Sequence, residues 1–150
     1  MFERWPLLPA PRPWQADAGV TKANTHPEID QSLCGEILSL AKGAAQVELT
    51  TDPRMAADER GLVHGGFIFG AADYAAMLAV NDPNVVLGAA SVTFLAPTRV
   101  GERVHFNAQL QGEKGRKRSV DVKAHVGATQ VFEGSFTCFV LDHHVLDKKG

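Results

Sequence analysis

From Ala45 to Thr51 apolar and polar side chains alternate, Val47 and Leu49 against Gln46, Glu48 and Thr50. A period of two puts alternate residues on opposite faces of a strand, so this stretch predicts a half-buried strand. Glu36 to Ala41 predicts a partner strand before it, with Lys42-Gly43 as the turn. Further along, Val85 to Leu95 is largely apolar and reads as a strand, and Pro97 and Gly101 bracket the turn after it. Glu102 to Gly112 sets Val104, Phe106, Ala108 and Leu110 on one face. Arg116 to Val126 does the same with Val120, Val122, Ala124 and Val126. Thr129 to Leu141 carries Val131, Phe132, Phe136, Phe139 and Leu141. Short glycine-containing turns join these last three and predict an antiparallel meander.

Phe67 to Val80 breaks the alternation. Its fourteen residues hold one charge, Asp73, and six are Gly or Ala: Gly70, Ala71, Ala72, Ala75, Ala76 and Ala79. A helix apolar on all sides is buried on all sides, and small residues let a sheet approach it closely. Asn81-Asp82-Pro83 ends it. A second, shorter helix is predicted over Pro27 to Gly35, with proline at the first position and glycine at the stop. Asp52-Pro53 closes the first hairpin, and a charged loop runs from Arg54 to Gly61. The order is hairpin, buried helix, then about four strands. One helix wrapped by a curved antiparallel sheet of five to six strands satisfies it, an α+β fold.

Composition narrows the picture. The 150 residues fit one domain, residues 20–150, large enough for a core without disulfides or a structural metal. Residues 1–19 stand apart as a proline-rich arm. Pro6, Pro9, Pro11 and Pro13 exclude a helix interior or central strand, and Trp5 and Trp14 favour packing onto the body or a partner subunit. A formal net charge of -2 argues against a basic nucleic-acid coat. The two cysteines, Cys34 and Cys138, lack metal-ligand spacing and read as reduced buried thiols of a cytoplasmic protein. The uncharged apolar stretch Gly61 to Ala72 is shorter than the roughly 18–20 residues of a membrane helix, and no secretory h-region is visible.

Asp73 is the sharpest chemical signal. A carboxylate inside an apolar helix costs several kcal/mol to bury unless it is used or paired. Positions three and four away hold Gly70, Phe69, Ala76 and Met77, none a cation. A positioned base or nucleophile is one reading, a solvated or backbone-bonded carboxylate the other. His64-Gly65-Gly66 comes directly before the helix. The free N–H groups of a helix N-terminus suit an oxyanion, and glycines admit a ligand close to the backbone.

The run Asp58-Glu59-Arg60-Gly61-Leu62-Val63-His64-Gly65-Gly66-Phe67-Ile68-Phe69-Gly70-Ala71-Ala72-Asp73 resembles the signature of hotdog-fold acyl-CoA thioesterases of the PaaI-like (4HBT-type) subgroup. The resemblance continues through Thr93-Phe94-Leu95-Ala96-Pro97-Thr98-Arg99-Val100-Gly101-Glu102 and covers roughly Gly35 to Leu141. It implies the hotdog fold, a helix wrapped by an antiparallel sheet, and a homodimer or homotetramer with active sites at the dimer interface. It implies that the Gly65 N–H, beside Gly66, polarises the thioester carbonyl and that His64 holds the carbonyl region. Asp73 then attacks, or activates water, from the opposite subunit. Asp58 stands where the family usually has Asn and, as a pure acceptor, makes no amide donor bond. Leu87 stands near the position where some members carry Ser or Thr. The resemblance implies no cofactor beyond the coenzyme A of the substrate, and no metal. A weaker similarity, at Gly115 to Val122, is to the acyl-CoA-binding hotdog domain of FapR-type repressors, which bind malonyl-CoA without hydrolysis. The chain leaves no room for a separate DNA-binding helix-turn-helix, so the competing reading is acyl-CoA binding or sensing alone. The hydratase branch of the fold carries a different Asp/His signature, absent here.

Lys114, Arg116, Lys117 and Arg118 put four cations in five residues at a hairpin tip. They read either as a solvated turn or as a cradle for the coenzyme A phosphates. Without an interleaved aromatic they do not read as a nucleic-acid patch. His105 and His125 read as structural and His143-His144 as a solvated end. Phe67, Phe69, Met77 and Phe94 are candidates to line an acyl pocket.

Overall fold

The computed structural model describes residues 22–147. The proline-rich arm, with both tryptophans, lies outside the described residues. In chain order the elements are α1 (Gln31–Cys34), β1 (Glu36–Ala41), β2 (Ala44–Thr50), a 3-10 turn (Pro53–Met55), α2 (Gly65–Val80), β3 (Val85–Phe94), β4 (Arg103–Lys114), β5 (Lys117–Val126) and β6 (Thr129–Val140). All six strands form one antiparallel sheet in the order β1-β2-β4-β5-β6-β3. The hotdog fold expected from the sequence is the fold observed.

Alternation explains the sheet's two faces. Val47 and Leu49 of β2, Val104, Phe106 and Ala108 of β4, and Val120, Val122 and Ala124 of β5 are fully buried against α2. The helix answers with Ala71, Ala72, Ala75, Ala76 and Ala79, whose small side chains bring its axis close to the sheet. The outer face is polar and tightly laid. The His105 and His125 rings stack with centroids 5.2 Å apart, and the Gln46 side-chain oxygen lies 3.0 Å from the His105 Nε2. Asn107, two residues along β4 from His105 and opposite Lys123, is fully buried.

Three boundaries differ from expectation. The first helix is only Gln31–Cys34, because the Asp30 carboxylate caps the Ser32 N–H and fixes the start there. Pro27 instead sits in a turn closed by the Ile29 N–H donating to the His26 carbonyl. The long helix starts two residues early, so Gly65 and Gly66 form its first turn. It ends at Asn81, in left-handed conformation with φ 55°, whose N–H returns to the Met77 carbonyl. Finally, β3 leaves its sequence neighbours and pairs with β6 at the far edge. Of the two cysteines, both free, Cys138 is buried and Cys34 only half-buried. No described helix is long and apolar enough to cross a membrane.

Candidate active site

The loop entering α2 is fastened strand-like on both sides. The Val63 N–H donates to the Thr98 carbonyl (2.9 Å), the His64 N–H to Met55 (2.8 Å), and the Val100 N–H to Gly61 (2.8 Å). Gly61 takes φ +80°, a backbone that glycine adopts without strain. Asp58 works inside this loop: its Oδ1 accepts the N–H groups of Arg60 (2.9 Å) and Leu62 (3.2 Å). These bonds set the direction in which the chain enters the helix.

At the helix start, His64 is extended and makes no side-chain capping bond. The Phe67 N–H bonds back to the His64 carbonyl (3.1 Å), while the Gly65 and Gly66 N–H groups find no backbone acceptor among the described residues. Both are orphan donors of a helix N-terminus, where the macrodipole favours negative charge. The His64 ring folds over Gly66: a Cβ there would lie 3.0 Å from Nε2. A Cβ on Gly65 would lie 3.3 Å from the ring of Phe94. Side chains at either glycine would crowd the place where a carbonyl oxygen meets these donors.

Asp73 lies eight residues further along α2, about 12 Å up the axis. Its Oδ1 is buried and accepts no hydrogen bond among the described residues. Burial raises its pKa from the ordinary 3.8 to about 6. Its charge also reaches both thiols. Burial and then Asp73 push Cys138 up to about 12; burial, then Asp30 and Asp73, push Cys34 upward. Both stay protonated at neutral pH and are poor nucleophiles.

A cavity of about 370 Å³ opens beside Gly65, lined by Leu62, Ile68 and Val131 and by the 94–98 segment. Asp73 is not among its lining residues. Phe94 alone of the four pocket candidates lines it. Met77 is buried in the core, Phe69 packs on Phe136 (5.7 Å), and Phe67 stands edge-on to His64 (6.2 Å). Leu62 and Leu95 were not foreseen as pocket residues. The available signal was a pair of large apolar residues set beside Gly61 and Pro97, in turns that are usually polar.

The basic hairpin lies at the other end of the sheet. Lys117 pairs with Phe139 and Phe94 with Phe132, seven residues of β6 apart, roughly 23 Å. Arg116 is ion-paired with Asp142. Arg118 contacts Glu113 at 3.5 Å and donates to the Gly115 and Lys117 carbonyls. Lys114 and Lys117 are exposed and in no ion pair among the described residues. No group of three His, Cys, Asp or Glu side chains suited to a metal occurs among the described residues.

Residues 75–144 match the family model of FlK, the fluoroacetyl-CoA-specific thioesterase. Among solved structures, the uncharacterized protein PH1136 from Pyrococcus horikoshii is 47% identical, with a TM-score of 0.84. The match covers 85% of this chain and 98% of that one. A variant of the phenylacetic acid degradation protein PaaI from Thermus thermophilus is 27% identical, with a TM-score of 0.68, over 74% of this chain and 96% of that one. The chain is a hotdog-fold protein, and the family model that matches a little under half of it is a thioesterase's. Two curated relatives extend beyond it. A methylthioribose-1-phosphate isomerase of Aquifex aeolicus is 51% identical over 79% of this chain, which spans only 26% of that protein. The transcription factor FapR of Shouchella clausii is 29% identical over 73% of this chain, which spans 58% of that protein. The shared part in each is a hotdog-length segment, and neither protein's whole activity follows from it.

Proposed function

We propose that the chain hydrolyses acyl-CoA thioesters, with Asp73 as general base and the Gly65 N–H, seconded by Gly66, as oxyanion donor. The observation that carries this reading is the half-buried Asp73 carboxylate, whose Oδ1 is buried with no partner among the described residues and whose pKa is raised to about 6. A base poised near neutrality is what proton abstraction from water at physiological pH needs. Asp73 takes a proton from water as the water oxygen bonds to the thioester carbonyl carbon. Negative charge collects on the carbonyl oxygen, at the orphan N–H groups of the helix start. As the C–S bond breaks, the coenzyme A thiolate recovers the proton from Asp73, leaving a free acid and a neutral thiol. The chemistry calls for no metal or other cofactor. His64, folded over Gly66, holds the carbonyl region.

The site is completed by a second copy. Gly65 and Asp73 of one chain lie about 12 Å apart along the helix, and among the described residues β3 has one strand partner, β6, with its other edge unpaired. Pairing of two chains along that edge continues the sheet and sets Gly65 of one subunit towards Asp73 of the other. The same pairing is what the hairpin cations Lys114, Arg116, Lys117 and Arg118 need to reach the phosphates of coenzyme A, since within a chain they lie far from Gly65. Asp58 serves by holding the loop before His64. The second reading, binding without turnover, is favoured by the likeness to FapR.

A panel of acyl-CoAs decides between them. Asp73→Asn is expected to keep affinity and lose more than tenfold in kcat; retention above about a tenth, a loss under roughly 1.4 kcal/mol, refutes the base assignment. Gly65→Ala is expected to fold, since alanine suits a helix better than glycine, and to lose turnover by crowding the donors against Phe94. Subunits of the two inactive variants, dissociated and reassembled together, are expected to recover activity. A fully active monomer in sedimentation refutes the shared site.

A further inference from the structure

We propose that the cavity beside Gly65 receives the acyl group, that the substrates are neutral apolar acyl thioesters rather than dicarboxylic ones, and that Phe94 sets the size accepted. The inference rests on the thioesterase reading for its site and adds the substrate class.

The lining is the first argument. Among the described residues no charged side chain borders the cavity, and the one polar side chain there, Thr98, is 4% exposed. Apart from the free Gly65 N–H, which the thioesterase reading gives to the thioester carbonyl, several backbone donors of the wall are already used. The Leu95 and Ala96 N–H groups both donate to the Val131 carbonyl (2.8 and 3.4 Å), and Val63 donates to Thr98. A pantetheine arm brings amides that need partners, and such a wall leaves them unpaired, which binding does not tolerate well. A terminal carboxylate, as on a malonyl group, would lose water with no cation in the lining. A hydrocarbon chain loses nothing there. The volume, about 370 Å³, lies at the low end of the roughly 300–1,000 Å³ of small-molecule sites.

The placement of Phe94 is the second. One side of its ring is anchored edge-on to the fully buried Phe132 at 5.3 Å. The residue is nonetheless 51% exposed, and Leu62 and Leu95 beside it are 41% and 45% exposed. Three large apolar side chains therefore stand open around one cavity, where a ligand's apolar part would cover them. The ring also touches Gly65, whose Cβ would lie 3.3 Å from it. A substituent on a carbonyl held at the Gly65 N–H would pass the ring of Phe94.

The test is turnover of acetyl-, butyryl-, hexanoyl-, octanoyl-, phenylacetyl- and malonyl-CoA by wild type, Phe94→Ala and Phe94→Leu. In the wild type kcat/KM is expected to rise about fourfold per methylene until the cavity is full. Malonyl-CoA is expected roughly a hundredfold below butyryl-CoA. Phe94→Ala is expected to raise the octanoyl-to-butyryl ratio at least tenfold, with Phe94→Leu between it and wild type. Far-UV circular dichroism checks that both variants fold. An unchanged ratio in two folded variants overturns the proposal. So does a KM that rises equally for every acyl-CoA, which assigns the cavity to the coenzyme A arm, and so does malonyl-CoA as the best substrate. If the wild type turns over nothing, the hydrolysis reading fails alone. Dissociation constants for the same panel, by calorimetry, then carry the same ratio test.

Discussion

Asp73 gives a prediction in which stability and catalysis oppose each other. In the unfolded chain its carboxyl has the ordinary pKa of 3.8; in the fold, burial raises it to about 6. Below 3.8 both states hold the proton and the site costs nothing. As pH rises towards 6 the unfolded chain ionises first, so the folded state loses ground; above 6 both are ionised and the loss is complete. The difference between the two values, at 1.36 kcal/mol per pH unit, is about 3 kcal/mol. Asn at position 73 has no such term. It has its own cost, an amide where the Asp73 Oδ1 finds no partner, but that cost does not vary with pH. The stability of Asp73→Asn relative to wild type is therefore expected to improve by about 2.4 kcal/mol between about pH 4 and pH 7, most of the full difference, and to change little above it. Other titrating groups are common to both proteins and cancel. The assay is urea unfolding of both proteins across this range at one protein concentration, since assembly couples to stability. Over the same window kcat/KM of the wild type is expected to rise to a plateau, because only the ionised carboxylate acts as base. A relative stability that stays flat from pH 4 to 7 would refute the reasoning: a cation, most simply one from the second subunit, would then hold Asp73 at its ordinary value.

Gly35→Ala is expected to destabilise by about 2–5 kcal/mol, combining backbone strain with overpacking. Gly35 has φ 104°, and an added Cβ would sit 2.3 Å from the Val47 Cγ1; a thermal melt showing a Tm fall of less than about 4 °C refutes it. The His105–His125 pair is expected to cost stability in acid. Burial lowers both imidazoles below 6.5, with Glu48 opposing for His105 and the His105 charge adding for His125. Gln46, Asn107, Lys123 and Gln130 are the other polar neighbours on that face. Groups depressed in the fold contribute above 6.5 and lose that contribution as pH falls through their lower folded values. His125→Gln is expected to lose less stability than wild type between pH 7 and pH 5, and an equal loss overturns the assignment.

The strands, the long helix and the lone carboxylate were legible in the sequence because each rests on local periodicity. Val47, Leu49, Val104, Phe106 and their counterparts alternate, and alternation fixes which face is buried whatever the neighbours are. The Gly and Ala content of α2 likewise declares a helix that the sheet approaches closely, and one acid among those residues declares itself; burial on all sides does not hold, because the face of Gly66, Phe69, Gly70 and Asp73 is partly open among the described residues. Helix ends were less legible. Whether Pro27 or Asp30 begins α1 depends on one capping bond to Ser32, and both residues are good starters. The position of β3 was not legible at all. A largely apolar run does not say which neighbours it takes; among the described residues β3 is an edge strand paired with β6, because the meander β4-β5-β6 occupies the middle. That placement decides the site. It carries Phe94 to Gly65 and sends the basic hairpin to the opposite end. Proximity between residues 65 and 94, or distance between 65 and 117, is a property of strand order. Strand order is set by how six strands share one helix, not by the pattern within any one of them.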